Sequence, residues 1–291
     1  MQSLRSTFAS QSRTISFELF PPKTEEGYVK LLDTIVKLSH LKPNFFSCTY
    51  GAGGSSRGRT LDIVEHIEKK HSIPAVAHLT CVLHTKDEIK AILDNMKQRG
   101  ISHVLALRGD PPKDNPNWTP GADNFKYASD LVAFIRHHYG TYFTIGVAGF
   151  PEGHLLSPDK DTDARMLKTK IDAGADFIIT QLFFNNQDYV DYVARIRKLG
   201  ITTPVIPGIL PITDYNALVR FCALCGATIT QEVHDTFKPI ANDPAQTLEA
   251  GIAFCTKQSR KLLEKGAPGL HFYTLNKPSP VDKILTELQH G

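Results

Sequence analysis

The segment at residues 15–22 reads Ile-Ser-Phe-Glu-Leu-Phe-Pro-Pro, an apolar β-strand that contains one glutamate, Glu18, and ends at two prolines. Proline donates no ladder hydrogen bond, so the strand stops there. Burial of an unpaired carboxylate costs so much free energy that the group usually takes up a proton. A carboxyl group that holds its proton near neutral pH can serve as a general acid. Glu18 is therefore either a general acid or a strand-end residue paired with an arginine or a helix N-terminus, and the segment alone leaves both open.

Alternation of side chains gives this strand two unlike faces. Successive side chains of a strand point to opposite sides of the sheet. Phe17 and Leu19 are expected to pack against helices, whereas Ser16 and Glu18 are expected on the other side. In a closed barrel that other side lines the lumen, so the pattern predicts that Glu18 points inward.

Short β-rich runs recur along the chain, and a segment of helical periodicity follows each of them. The candidate strands lie at residues 15–20, 45–50, 74–81, 103–109, 144–150, 177–184, 204–210 and 270–275. Helices that alternate with strands indicate parallel pairing. Eight such units predict an α/β fold, a (β/α)8 TIM barrel, with extra helices between strands 7 and 8. An open doubly wound sheet would more often have a glycine fingerprint after its first strand, where this chain has Pro21 and Pro22.

Length and composition set the limits of this interpretation. The 291 residues fit one barrel domain over 1–291, with residues 1–14 as an N-terminal arm. The 33 Lys and Arg are spread among 30 acidic residues, which predicts no nucleic-acid partner. No apolar run approaches the roughly 18 residues of a membrane helix, so a soluble protein is expected. Five irregularly spaced cysteines favour reduced thiols and a cytoplasmic location.

Two groups of cysteine and histidine have spacings that occur in metal sites. Cys222 and Cys225 form a Cys-x-x-Cys pair inside an apolar helical segment, and core packing is the favoured interpretation because no second pair is present. His78, Cys81 and His84 are spaced unsuitably along a strand. The sequence therefore predicts no metal site.

Polar residues gather at the predicted carboxyl ends of the strands, the face of a barrel where active sites lie. They include Thr49, His78, Arg108, Asp110 and Gln181. An ordinary core histidine is the favoured interpretation of His78. Asp163 and Lys170 are two turns apart on one face of a predicted helix. That pair is either a solvated charge pattern or an acid and a base presented to ribose and pyrophosphate, and spacing alone does not decide.

Several motifs together carry a specific resemblance. They are residues 16–23 (SFELFPPK), 48–51 (CTYG), 78–81 (HLTC), 107–110 (LRGD), 180–184 (TQLFF), 207–211 (PGILP) and 271–276 (HFYTLN). In this order they resemble methylenetetrahydrofolate reductase of the flavin-dependent bacterial type, from about residue 14 to the C-terminus. The resemblance implies a (β/α)8 barrel that holds FAD without a Rossmann fold. It also implies a place in folate one-carbon metabolism and methionine biosynthesis.

The resemblance assigns roles by position. Glu18 matches the general acid that protonates folate N10, and Asp110 matches the carboxylate that faces the pterin and the flavin. Gln181 and Phe221 match contacts to folate or nicotinamide, and Lys277 stands where relatives often have an arginine for the folate tail. The implied FAD-binding set is Thr49, Tyr50, His78, Arg108, Gly109, Asp110, Ala128, Phe150, His154, Asp163 and Lys170. Phe150 replaces a frequent tyrosine, so a hydroxyl contact to the cofactor is missing.

The implied reaction is ping-pong. NADH or NADPH reduces the flavin and leaves, and 5,10-methylenetetrahydrofolate then enters the same pocket and becomes 5-methyltetrahydrofolate. The resemblance also suggests a homo-oligomer. Three alternatives stay open: the same barrel receiving electrons from a partner subunit, a flavin-free pterin-binding methyl-transfer subunit, and a metal-dependent barrel lyase or hydrolase, which the ligand spacing disfavours.

Overall fold

The computed structural model describes residues 3–10, 13–50, 57–111, 115 and 118–289. Its strands are β1 (Thr14–Leu19), β2 (Phe45–Cys48), β3 (Ala75–Thr80), β4 (His103–Leu107), β5 (Thr144–Gly149), β6 (Phe177–Thr180), β7 (Val205–Ile206), β8 (Gly208–Ile209) and β9 (Gly269–Tyr273). Its α-helices are α1 (Leu4–Ser10), α2 (Glu25–Ser39), α3 (Arg57–His66), α4 (Lys86–Gln98), α5 (Ala128–Tyr139), α6 (Lys160–Asp172), α7 (Asn186–Lys198), α8 (Tyr215–Cys225), α9 (Gln231–Phe237), α10 (Pro244–Glu264) and α11 (Pro278–Gln289). A π-helical turn at Ile67–His71 continues α3.

The strands form one parallel sheet in the order β7-β6-β5-β4-β3-β2-β1-β9-β8. The two ends of this order, β7 and β8, are consecutive pieces of the predicted strand at 204–210, separated by Pro207. β7 pairs with β6 and β8 pairs with β9, so this single run joins the two ends of the sheet. The (β/α)8 barrel is confirmed, and its seventh strand is split because proline cannot donate to the ladder.

Local sequence explains where several helices begin. α4 starts with a capping box, in which Thr85 Oγ1 accepts from the Glu88 N–H and the Glu88 carboxylate accepts from the Thr85 N–H. α6 starts at Asp159, whose carboxylate accepts from the Thr162 N–H at 2.7 Å. Such caps satisfy backbone donors that lack a partner in the helix. They fix the positions at which α4 and α6 leave the barrel rim.

The main core lies between the barrel wall and the surrounding helices. Phe17 and Leu19 of β1 are fully buried there, together with Ile35 of α2. Their outward orientation agrees with the alternation in the sequence. It leaves the other side of β1 facing the lumen.

The amino-terminal end of the lumen is filled by apolar side chains and covered by α1. Leu4 belongs to the buried cluster that contains Phe45 and Phe177, and Phe8 packs against it. The guanidinium of Arg5 donates to both carboxylate oxygens of Asp176, at 2.8 and 3.0 Å. The segment 1–14 thus contains a short helix docked on the barrel floor and the first residue of β1. A closed floor directs any ligand to the opposite, carboxyl-terminal end.

The extra helices predicted before the last strand are present as α9 and α10. They pack with α8 around a second cluster that includes Val233 and Phe237. This cluster reaches the loops that follow β6 and β8, through Leu182 and Leu210. Within the described part of the chain, no helix is both long and apolar enough to span a bilayer.

Candidate active site

Glu18 points into the carboxyl-terminal end of the barrel lumen. Its residue exposure is 6%. Oε2 of Glu18 lies 3.5 Å from Nε2 of His78 on β3 and 3.6 Å from Nε2 of His271 on β9. The inward orientation predicted from strand alternation is confirmed. The structure therefore brings a buried carboxyl group and two buried imidazoles together.

His78 is neutral at physiological pH. Burial lowers its pKa to about 4, the nearby Glu18 raises the pKa by a smaller amount, and His271 lowers it further. Burial dominates because an imidazolium loses its hydration inside the barrel. In the described ranges, Nε2 of His78 has no hydrogen-bond partner. The contact with Glu18 is therefore no ion pair at neutral pH, and a polar ring nitrogen remains available to a ligand.

The end of β1 is held in place by two side chains that follow β9. Oγ1 of Thr274 donates to the backbone carbonyl of Glu18 at 2.6 Å. The Asn276 amide accepts from the Phe20 N–H at 2.9 Å and donates to the Phe20 carbonyl at 2.8 Å. Asn276 has a φ of 58°, a conformation that asparagine tolerates better than most residues. Together these bonds fix the backbone that carries the Glu18 side chain.

His271 is a site residue that the sequence reasoning did not single out. It is fully buried, and its Nδ1 lies 2.8 Å from Oγ of Ser16, its register partner on β1. The signal was present, because Leu270 and Phe272 are buried in the outer core and alternation turns His271 inward. Two residues on, Tyr273 is the register partner of Glu18 and donates its hydroxyl hydrogen to the Thr180 carbonyl at 2.6 Å.

The turn after β4 carries Arg108, Gly109 and Asp110. Gly109 has a φ of 84°, and a Cβ atom on it would lie 2.6 Å from Cγ1 of Val82. Only glycine fits this backbone without strain. Arg108 is partly buried and Asp110 is exposed at the rim. The turn thus places one cation and one anion at the barrel mouth.

Asp163 and Lys170 share one face of α6, as their spacing predicted, and the structure shows that this face is packed against the barrel. Asp163 is buried, and Nζ of Lys170 donates to the Ala148 carbonyl of β5 at 2.6 Å. Burial lowers the pKa of Lys170 to about 8, opposed by the charge of Asp163. Burial raises the pKa of Asp163, opposed by Lys170 and by the His154 N–H. A solvated surface pattern is therefore excluded, since both groups are held against the barrel.

Phe150 and His154 link α6 to the turn after β4. Their rings meet edge to face with centroids 4.6 Å apart, and Nζ of Lys170 lies 5.8 Å from the Phe150 centroid. Burial lowers the pKa of His154, and so do the charges of Arg108 and Lys170, while Asp110 raises it. The ring contacts and electrostatic interactions thus join these residues in one part of the rim, where the cations Arg108 and Lys170 lie with the carboxyl groups of Asp110 and Asp163.

Three other predicted residues lie at the starts of rim loops or helices. The Thr49 N–H donates to the Leu19 carbonyl at 2.9 Å, directly after β2. The Tyr50 hydroxyl lies 3.4 Å from Nε2 of His84. Ala128 is the first residue of α5. Each lies after a strand, at the carboxyl-terminal end of the barrel, as predicted for Thr49.

The residues predicted to contact substrates lie on three different elements. The Gln181 N–H donates to the Gly149 carbonyl at 2.8 Å, while its side-chain Oε1 accepts from the Leu182 N–H at 2.9 Å. Phe221 lies on α8, partly buried against the second cluster. Lys277 is exposed, and its Nζ donates to Oγ1 of Thr213 at 3.2 Å.

Across the residues that the structure describes, no group of three or more His, Cys, Asp or Glu side chains has an arrangement that could hold a metal ion. The polar groups gathered at the site are Glu18, its two imidazole neighbours and the charged rim.

The family comparison agrees with this geometry. A sequence profile described as methylenetetrahydrofolate reductase matches residues 3–289, which contain every element of the barrel and its rim. The chain belongs to the methylenetetrahydrofolate reductase family.

Relatives within the methylenetetrahydrofolate reductase family come from fungi, plants and bacteria. Methylenetetrahydrofolate reductase 1 of Schizosaccharomyces pombe is 40% identical over 276 residues, covering 94% of this chain and 46% of the yeast protein. The probable methylenetetrahydrofolate reductase (NADH) of Oryza sativa is 39% identical over 290 residues, covering 96% and 49%. The 5,10-methylenetetrahydrofolate reductase of Pectobacterium carotovorum is 35% identical over 263 residues, covering 90% and 86%. The chain spans about half the length of the fungal and plant relatives.

A solved structure shares the fold of this chain. An uncharacterized Clostridium thermocellum protein, which binds two copies of 5-methyl-5,6,7,8-tetrahydrofolic acid, superposes with a TM-score of 0.67 at 15% identity. The match covers 99% of this chain and 98% of that protein. At this identity the likeness concerns the fold.

Proposed function

We propose that this chain reduces 5,10-methylenetetrahydrofolate to 5-methyltetrahydrofolate with electrons from NADH or NADPH that pass through bound FAD. The observation that carries the proposal is the buried Glu18 carboxyl beside the neutral His78, at the mouth of a barrel whose family is methylenetetrahydrofolate reductase. When bound, FAD accepts a hydride from the nicotinamide and passes a hydride to the folate.

The charged rim fits a dinucleotide such as FAD. Arg108 and Lys170 supply cations for a pyrophosphate, and Asp163 supplies a carboxylate that can accept from ribose hydroxyl groups. The backbone at Gly109 admits close approach because a side chain there would collide with Val82. His78 adds a buried ring nitrogen without a partner in the described residues. Phe150 offers ring packing but no hydroxyl group.

Glu18 is proposed as the general acid for folate N10. Proton transfer from Glu18 opens the methylene bridge of the substrate to an iminium ion, which then accepts the hydride. The position of Glu18 suits this role, because its carboxyl group is buried in the lumen beside His78 and His271. Asp110, exposed at the rim, is proposed to stabilise the cationic iminium by its negative charge.

Three residues are proposed to bind the two substrates in turn. Gln181, directly after β6, is proposed to offer its side-chain amide to folate or nicotinamide. Phe221, on α8, offers an aromatic face for the nicotinamide. Lys277 offers a single positive charge to the glutamate tail of folate and lacks the bidentate geometry of an arginine.

The proposal extends to the cell and to the assembly. We place the chain in the cytoplasm as a single barrel domain that forms a homo-oligomer. A partner subunit that delivers electrons to the same flavin is the second candidate, since Phe221 favours the direct nicotinamide route only modestly. The cationic rim at Arg108 and Lys170 favours either flavoprotein over a flavin-free methyl-transfer subunit.

Anaerobic spectroscopy tests the proposal. The purified protein reconstituted with FAD is expected to show flavin absorbance that NADH or NADPH alone bleaches. Subsequent 5,10-methylenetetrahydrofolate is expected to restore the absorbance with formation of 5-methyltetrahydrofolate. Bleaching by dithionite but by neither nicotinamide, followed by restoration with folate, would support the partner-subunit route. Failure of the protein to bind FAD would exclude both the direct nicotinamide route and the partner-subunit route.

A further inference from the structure

The Cys-x-x-Cys pair in α8 is a chemical feature that the proposed reaction does not use. Cys222 and Cys225 lie three residues apart in the last turn of the helix, directly after Phe221. Cys222 is 3% exposed, whereas Cys225 is partly exposed. Residues at this helical spacing have Cβ atoms about 5–6 Å apart. The pair therefore has one thiol that solvent can reach, that of Cys225, and one buried thiol next to it, that of Cys222.

The end of α8 holds the Cys225 thiol close to Cys222. Gly226 ends the helix with a φ of 77°, and its N–H and the Cys225 thiol both donate to the Cys222 carbonyl, at 2.8 and 3.9 Å. Interactions with Cys222 and with the backbone at Ala227 lower the pKa of Cys225 to about 7, opposed by burial and by the charge of Glu152. Cys225 is also the more exposed thiol of the two, so a peroxide reaches it first. Cys225 is therefore the expected nucleophile of the pair.

The other cysteines lack this environment. Cys48, Cys81 and Cys255 are buried, and burial raises their pKa values. A buried thiol of raised pKa holds almost no thiolate at neutral pH and reacts slowly with peroxides. These three buried cysteines therefore serve as internal controls for the reactivity of Cys225 toward peroxide.

We propose that Cys222 and Cys225 form a reversible intrahelical disulfide in response to a peroxide. The Cys225 thiolate attacks one peroxide oxygen, so that an S–O bond forms, the O–O bond breaks and the leaving hydroxide takes a proton to become water. Cys222 then attacks the Cys225 sulfur, so that the S–S bond forms and the second oxygen departs as water with the Cys222 proton. Two thiols lose two electrons and hydrogen peroxide gains them. A small thiol such as glutathione returns the pair to its reduced form by exchange.

Formation of the disulfide changes the helix that carries Phe221. A disulfide requires Cβ atoms about 3.5–4.5 Å apart, so the last turn of α8 must tighten. Cys225 is also within electrostatic reach of Tyr273, the register partner of Glu18. Oxidation is expected to displace Phe221 and to raise the KM for the nicotinamide several-fold. This consequence for catalysis rests on the proposed function, whereas disulfide formation does not.

The test is peroxide titration of the purified protein followed by alkylation and mass spectrometry. Cleavage by trypsin and a glutamate-specific protease releases residues 221–232, which contain both thiols and no other cysteine. The expected product is an unalkylated peptide lighter by two hydrogen atoms, formed about tenfold faster than any oxidation of Cys48, Cys81 or Cys255. Dithiothreitol is expected to restore double alkylation. A 221–232 peptide that stays doubly alkylated until the buried cysteines also react would overturn the proposal.

Two single variants separate the roles of the thiols. Cys222→Ser removes the resolving thiol, so peroxide is expected to leave Cys225 as a sulfenic acid that dimedone labels. Cys225→Ser is expected to leave Cys222 reduced, and equal peroxide reactivity of Cys222 in that variant would contradict the assignment of the nucleophile.

In the flavin-loaded protein, the Cys225→Ser variant is expected to keep its rate of flavin bleaching by NADH after peroxide treatment, whereas the rate of the unaltered chain falls. A disulfide without slowing would overturn the link to Phe221, and a protein that binds no FAD would overturn the proposed function alone.

Discussion

Oε2 of Glu18 and Nε2 of His78 lie 3.5 Å apart inside the barrel, and the imidazole of His78 is neutral at physiological pH. Because the ring is neutral, this contact is no ion pair, although both groups are buried. This contact connects the first strand of the sequence to the acid chemistry proposed for the site.

The pKa of His78 predicts a specific loss of stability in acid. Unfolding returns this pKa from about 4 to its ordinary 6.5, so between these values the unfolded chain binds a proton that the folded chain does not. Stability therefore falls as pH drops from 6.5 to 4, by on the order of 3 kcal/mol for this group. Urea denaturation across this range should show a flatter pH dependence for His78→Asn than for the unaltered chain. His137→Asn, an exposed control on α5, should keep the original slope, and equal slopes in all three proteins would refute the assignment.

Two glycines of nearly equal φ separate backbone strain from steric collision. Gly100 has a φ of 81° and open space where a Cβ would lie, whereas Gly109, at 84°, would place its Cβ 2.6 Å from Cγ1 of Val82. Gly100→Ala is expected to cost about 1 kcal/mol through φ alone. Gly109→Ala is expected to cost a further 1–3 kcal/mol, roughly, because Val82 must move. Chemical denaturation of both variants measures the difference, and equal losses would show that the turn after β4 accommodates the methyl group.

Lys170 is expected to hold the cofactor, whereas its neighbour Lys168 is not. Both residues lie on α6, but Lys168 pairs with Asp172 near solvent, and Lys170 donates to the Ala148 carbonyl beside Phe150. Lys170→Met should weaken FAD binding at least roughly tenfold, or about 1.4 kcal/mol, through loss of the buried cation. Lys168→Met should bind FAD as the unaltered chain does. Titration of each apoprotein with FAD by fluorescence quenching checks this, and parallel losses in both variants would argue for general destabilisation of α6.

Asn276 is expected to affect turnover more than flavin content. Its amide makes two bonds to the Phe20 backbone, and its φ of 58° strains most other residues. Asn276→Ala removes the bonds and adds backbone strain, at about 2 kcal/mol in all. Asn276→Gly removes the bonds only. Both variants should retain FAD and lose folate reduction, because the strand end that carries Glu18 is released, and undiminished turnover in the glycine variant would disprove the positioning role.

The sequence predicted the barrel and the direction of Glu18 because both depend on short-range periodicity. Alternation within β1 determines its two faces, and strand–helix alternation determines parallel pairing. Residues 204–210 look like one strand in the sequence, so the break at Pro207 was not predicted. The two halves of this run pair with β6 and β9, and pairing between strands that are distant in the sequence cannot be read from local periodicity. His271 was overlooked for a related reason. It becomes part of the site only through its register with Ser16, far away in the sequence.

Burial and electrostatic coupling were the features that the sequence could not supply. The spacing of Asp163 and Lys170 suggested a shared face, but only packing against β5 distinguishes a barrel-facing pair from a solvated one. The Cys-x-x-Cys pattern predicted core packing, which holds for Cys222. The environment of Cys225 depends on the turn at Gly226 and on Glu152 from another loop. Such contacts exist only once the chain is folded.

The two half-reactions of Glu18→Gln test the central claim most directly. Glutamine preserves the size of the side chain and removes its transferable proton. The account predicts that NADH or NADPH bleaches the FAD of the variant at a rate within a few-fold of the unaltered protein. It also predicts that 5,10-methylenetetrahydrofolate no longer reoxidises the flavin under anaerobic stopped-flow conditions. Equal impairment of both half-reactions, or normal reoxidation by the folate, would contradict the role of Glu18 as the general acid.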